Sequence, residues 1–201
     1  MQVHWIKPNP HGTSVGLAEV SGENDKDLDY LRPDLAHLNP KKRMEFLASR
    51  LLTQRLCEAQ QIPYHGIEKD EYGKPHLIQS NYQLSISHSY PMVACAIHPT
   101  APCGIDIESV RPQLTNIKHK FLNPIELRRC DTNLHQLCIH WSAKEVLYKI
   151  HGRKRLTFAK QLVIDEIRGD QIHARILLDD AEKKHLLKYE KVSEYYLVYN
   201  V

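Results

Sequence analysis

The stretch Gly104-Ile105-Asp106-Ile107-Glu108 confines the fold more tightly than any other part of the chain. Its two-residue alternation is the period of a β-strand, which sends Ile105 and Ile107 to one face and Asp106 and Glu108 to the other. Such a strand lies with one face on a core. The other face carries two carboxylates that repel each other unless water or a cation lies between them. Together they supply the hard oxygen ligands that Mg²⁺ prefers. Gly104 has no Cβ, which leaves room for a ligand or another backbone to come close. A half-exposed strand with a solvated polar face satisfies the same pattern, so the choice turns on the rest of the chain.

The 201 residues suffice for one sizeable core or two small joined halves. With 42% hydrophobic and 25% charged residues the chain is globular rather than disordered. A net charge of +3 is too weak to argue for nucleic acid, though it suits an acidic or phosphorylated ligand. The cysteines Cys57, Cys95, Cys103, Cys130 and Cys138 are odd in number and contain no C-x-x-C pair. Neither a disulfide framework nor a zinc site is indicated, and a reducing, cytoplasmic setting is expected. No signal peptide opens the sequence, and the longest apolar run, 92–97, is too short for a bilayer.

Elsewhere the chain reads as two rounds of helix plus antiparallel strands, an α+β protein divided at 1–103 and 104–201. Strand patterns occupy 3–6, 15–20, 84–89, 93–97, 162–164, 172–178, 186–189 and 195–199, with a hairpin in 64–77 turned at Asp70-Glu71-Tyr72-Gly73. A polar stretch follows residue 20. Asn39-Pro40 then opens a helix to about residue 60, carrying Phe46, Leu47, Leu51 and Leu52 toward a core and Lys41, Lys42, Arg43, Arg50 and Arg55 outside. Arg43 and Arg50, two turns apart, either share a solvated face or converge on a phosphate. In 84–89 the serines Ser85, Ser87 and Ser89 take one face and Ile86 and His88 the other, so His88 is either a hydrogen-bonded core histidine or a ligand contact.

After Glu108, residues 111–121 read as a Pro-flanked connection, Asn123-Pro124 as the cap of a helix through 126–129, and 133–150 as a longer helix ended at Gly152. Trp141, Glu145 and Lys149 recur every four residues along one face of it. Glu145 and Lys149 stand in the orientation of an intrahelical ion pair worth about 0.2–0.5 kcal/mol, which needs no function.

In order along the chain, Gly73-Lys74-Pro75, Ser87-His88-Ser89, Gly104-Ile105-Asp106-Ile107-Glu108 and Trp141-Ser142-Ala143-Lys144-Glu145 with Lys149 resemble the motif series of the Sfp-type 4′-phosphopantetheinyl transferases. The resemblance runs from about Arg43 to Lys149. It implies two similar α+β halves related by a pseudo-twofold, a monomer, with coenzyme A and Mg²⁺ in the cleft between them. Such enzymes move the phosphopantetheine arm of coenzyme A to a serine of an apo acyl or peptidyl carrier protein and release 3′,5′-ADP. By motif, Asp106, Glu108 and Glu145 would hold the metal, with Glu145 also the plausible base. Lys74 would lie along the adenine, Ser87 and His88 would contact the 3′-phosphate and its neighbours, and Lys144 and Lys149 would meet the pyrophosphate. Arg43 and Arg50 would be further phosphate contacts.

The carrier would dock on the segment Arg111 to Phe121, steered by Lys118 and Lys120 and held by Leu114, Ile117 and Phe121. The chemistry agrees with this grouping of acids beside lysines: a diphosphate repels an incoming alcohol until a divalent ion and cationic side chains relieve its charge. The rival readings are a coenzyme A or nucleotide binder without turnover, and a nucleic-acid binder using Arg153-Lys154-Arg155 and the helix near Lys41.

Overall fold

The computed structural model describes residues 1–9, 11–20, 39–152 and 155–201. The polar stretch after residue 20, and Arg153 and Lys154 of the basic triplet, lie outside the described residues.

Among the described residues, two antiparallel sheets, each with a helix packed against it, form the fold. The first contains β1 (Gln2–Lys7), β2 (Ser14–Glu19), β3 (Ile67–Lys69), β4 (Pro75–Leu77), β5 (Gln83–Ser89) and β6 (Met92–His98), in the order β1-β2-β6-β5-β4-β3. Helix α1 (Pro40–Ala59) packs on it. Asn39 caps α1 by accepting from the Lys41 N–H, and Pro40 sits where a helix needs no N–H donor. The second sheet contains β7 (Ile105–Ser109), β8 (Leu162–Arg168), β9 (Gln171–Leu178), β10 (Ala181–Val192) and β11 (Tyr195–Asn200), in the order β7-β11-β10-β9-β8. Its helices are α2 (Gln113–Phe121), α3 (Pro124–Cys130), α4 (Leu134–Ile150) and the single turn α5 (Phe158–Gln161).

The apolar side chains form three clusters. Met44, Leu47, Leu52 and Leu56 of α1 meet Val93, Cys95 and Ile97 of β6. Leu137, Val146 and Leu147 of α4 meet Ile164, Ile172, Leu187 and Val198 of the second sheet. Between the sheets, Val15, Leu17, Met92, Ala94 and Ala96 meet Ile105, Ile107, Leu197 and Tyr199. Strand β6 is therefore covered on both faces, which is why its sequence is continuously apolar rather than alternating.

Residues 111–121 correct the sequence reading. They hold helix α2, with Leu114, Ile117 and Phe121 turned to the core cluster of the second half. Spaced i, i+3, i+7, these residues carry a helical signal within the Pro-flanked stretch. No helix among the described residues is long and apolar enough to cross a membrane.

Candidate functional site

Strand β7 and helix α4 bring the acidic motif and the helical motif together. Lys149 Nζ donates to Asp106 Oδ1 at 2.8 Å and to the Ile105 carbonyl at 2.7 Å. Two turns earlier, Trp141 Nε1 donates to Glu108 Oε1 at 3.1 Å. Glu145 is half-buried and stands four residues from each of them on the same helix face. Gly104 permits this approach: a Cβ there would come within 2.6 Å of the Val146 carbonyl oxygen. The close neighbour that the glycine admits is thus the backbone of α4.

Asp106 is 4% exposed, and its Oδ1 accepts from Ser87 Oγ at 2.8 Å as well as from Lys149. Its Oδ2 is buried with no hydrogen-bond partner. A buried carboxylate oxygen left in this state is costly, and a hard cation satisfies it. The Glu108 carboxyl is pushed above its ordinary value by burial and then by the charge of Asp106, against the opposing pull of Arg111, Trp141 and Lys149. Arg111 closes one side, 3.2 Å from Glu108 Oε2. The donor set on β7 fits a divalent ion in chemistry, two carboxylates with one oxygen unpartnered. Among the described residues no three His, Cys, Asp or Glu side chains are gathered closely enough to hold a metal by themselves.

A second assembly lies on the other face of β5. Ser85 and Ser87 face β7: the Ile105 N–H donates to Ser85 Oγ at 3.1 Å, and Ser87 reaches Asp106. Ile86 and His88 face away from it and line a pocket of about 330 Å³ together with Arg50, Gly73, Pro75 and the side of α1. The polar serine face is thus the buried one, because its hydroxyls are bonded across the seam. Asp70 Oδ1 accepts from the Tyr72 and Lys74 N–H groups, and Gly73 has φ +76°, which together fold the loop that presents Lys74. Lys74 Nζ lies 3.4 Å from Gln83 Oε1. Arg50 stacks on Phe46, its guanidinium carbon 3.2 Å from the ring centroid. Arg43 is half-buried two turns earlier on α1 and does not line the pocket. Adjacent residues Ser87 and His88 therefore join the two assemblies, one facing the acids and the other the pocket.

Residues 102–199 match the family model described as the 4′-phosphopantetheinyl transferase superfamily. A 4′-phosphopantetheinyl transferase of Bacillus subtilis is 30% identical over 134 residues, 63% of this chain. Its C-terminal half is thus similar to the 4′-phosphopantetheinyl transferase superfamily. The match covers 58% of the Bacillus protein's length.

Within that family frame the structure redistributes several sequence expectations. Lys144 is completely buried, and its ammonium lies 2.6 Å from Glu126 Oε2, 2.6 Å from the Leu162 carbonyl and 3.2 Å from the Phe158 carbonyl. A lysine has three donors, so all are satisfied inside the C-terminal half. Lys144 therefore holds the fold and does not reach a pyrophosphate. Glu126 is equally enclosed: it caps α3 through the Asn123 N–H and accepts from the Ile164 N–H. Ser87 is bonded to a metal-ligand candidate rather than placed in the pocket. Leu114 and Phe121, expected on the carrier surface, are each 1% exposed, and Lys118 donates to the Asp131 carbonyl at the end of α3. The exposed side of α2 is left to Gln113, Asn116, His119 and Lys120.

Sequence reasoning passed over the charged pocket residues Glu45 and Lys69 and placed Lys42 only on a basic helix face. For α1 a signal existed: Lys42, Glu45 and Ser49 at i, i+3, i+7 share one face.

Proposed function

We propose that the protein transfers the 4′-phosphopantetheine arm of coenzyme A to a serine of an apo acyl or peptidyl carrier protein, releasing 3′,5′-ADP. The observation that carries this reading is the convergence of Trp141 and Lys149 on Glu108 and Asp106, with Asp106 Oδ2 buried and unpartnered. The active site lies where residues 1–103 and 104–201 meet, and the protein works as a cytoplasmic monomer.

Asp106 and Glu108, completed by Glu145, are the groups that would hold Mg²⁺, which when bound offsets the negative charge of the diphosphate. Lys149 fixes Asp106 and presents its positive charge beside the diphosphate. Lys74, Arg43, Arg50 and His88 bind the nucleotide end, with His88 in the pocket taking the 3′-phosphate and Lys74 lying along the adenine. The carrier serine oxygen forms a bond to the phosphorus that bears the pantetheine arm. The bridging P–O bond breaks with its electron pair leaving on 3′,5′-ADP, and the serine proton passes to a carboxylate, assigned to Glu145. Ligation and proton transfer require different oxygens of that side chain.

The test is mass spectrometry of an apo carrier protein incubated with the protein, coenzyme A and Mg²⁺. A gain of one phosphopantetheine is expected. Binding of coenzyme A with no gain on any carrier would leave a nucleotide-binding module and overturn transfer.

A further inference from the structure

We propose that Glu45 is a positioning residue, which clamps His88 in the pocket so that the far nitrogen of its ring meets the 3′-phosphate of coenzyme A. This rests on the transferase reading above.

The other charged groups that line the pocket are Lys42, Arg50, Lys69 and His88. A carboxylate among them opposes phosphate binding by like-charge repulsion. Yet Glu45 is 7% exposed, held in the wall by α1, and its Oε2 lies 3.3 Å from His88 Nδ1. A carboxylate only accepts, so the approach is attractive when Nδ1 carries its proton, which leaves Nε2 at the opposite end of the ring for a ligand. Buried carboxylates orient catalytic and ligand-binding imidazoles in this manner. Among the described residues, the other histidine–carboxylate pairs at comparable distance, His4 with Glu19 and His76 with Asp70, have acids whose side chains are 42% and 33% exposed, against 10% for Glu45. An exposed acid follows its histidine, whereas an enclosed one dictates where the ring stands. The His88 side chain is 42% exposed and packs too loosely to fix its own ring.

The two explanations of Glu45 predict opposite signs. If it contributes charge alone, Glu45→Gln removes a repulsion and tightens phosphate binding. If it clamps His88, the same change loosens it.

Calorimetric titration of 3′,5′-ADP and of 5′-AMP into the wild type, Glu45→Gln, His88→Ala and the double variant separates them. Glu45→Gln is expected to weaken 3′,5′-ADP about tenfold and to change 5′-AMP by less than about twofold. In the His88→Ala background the loss should disappear. In the transfer assay the effect falls on KM for coenzyme A rather than on kcat, with an unfolding midpoint matching wild type as the check on folding. Tightened or unchanged 3′,5′-ADP binding, equal weakening of both nucleotides, or a loss additive with His88→Ala would overturn the proposal. A wild type that binds 3′,5′-ADP but modifies no carrier would overturn transfer alone, while the nucleotide titrations still decide the role of Glu45.

Discussion

Asp106 and Glu108 sit two residues apart on one strand face, the first buried and the second half-buried, and like charges in that arrangement work against the fold. The Glu108 carboxyl has its folded value above the unfolded one, so it favours the native state while protonated, below its ordinary 4.5, and this benefit is lost as pH rises through the raised value. Glu108→Gln should therefore raise the Tm of the metal-free protein at neutral pH, by roughly 2–4 °C for each kcal/mol released. The gain should narrow toward pH 4.5 in EDTA-containing melts, and transfer should be lost. A variant no more stable than wild type at neutral pH would contradict this account of the site. Lys144→Met makes the contrasting case: it strands the buried Glu126 carboxylate and should cost about 3–5 kcal/mol in urea unfolding. KM for coenzyme A should stay unchanged in whatever folds, because the ammonium is enclosed by Glu126, Phe158 and Leu162. The motif places Lys144 one residue from Glu145, but consecutive helical residues point about 100° apart, and only packing shows which one faces the strand.

At the scale of elements, the site depends on how closely α4 lies on β7. Gly104→Ala inserts a methyl 2.6 Å from the Val146 carbonyl, with Ile150 and Val146 side-chain carbons at 3.1 Å. The helix must shift, and overpacking of this kind costs about 1–3 kcal/mol. The expected outcome is a lower unfolding midpoint accompanied by a loss of kcat, since the shift separates Trp141 and Lys149 from their acids. Helix α2 shows what the sequence left hidden. Its Leu114, Ile117 and Phe121 carry the right spacing, but Pro112 and two neighbouring lysines gave the stretch the look of a connection. With Leu114 and Phe121 in the core, the proposed carrier contact is confined to the outer side, and Lys120→Glu should raise KM for an acidic carrier several-fold while leaving KM for coenzyme A in place. Steady-state kinetics varying each substrate in turn would show it, and equal changes in both would remove α2 from the interface.

The whole molecule is held by the apolar layer between its sheets, where Ala94 and Ala96 meet Ile107 and Leu197. Each sheet also has a core of its own under a helix. The chain has two tryptophans, Trp5 on β1 of the first sheet and Trp141 on α4 against the second. If the shared layer makes the halves one cooperative unit, Trp5→Phe and Trp141→Phe variants, each reporting on the remaining indole, should show coincident denaturant midpoints once corrected for the substitutions. Separated midpoints would show two units that unfold independently. The sequence by itself determined the strands, the capped helices, the face on which Asp106 and Glu108 stand, and the shared helix face of Trp141, Glu145 and Lys149, because each follows from a local period or a local cap. Only the tertiary structure decided that Gly104 admits a helix backbone, that Lys144 is sealed against Glu126, that Ser87 holds Asp106 and that Glu45 faces His88. Those depend on side chains brought together from distant parts of the chain, and periodicity along one segment carries no information about what another segment lays against it.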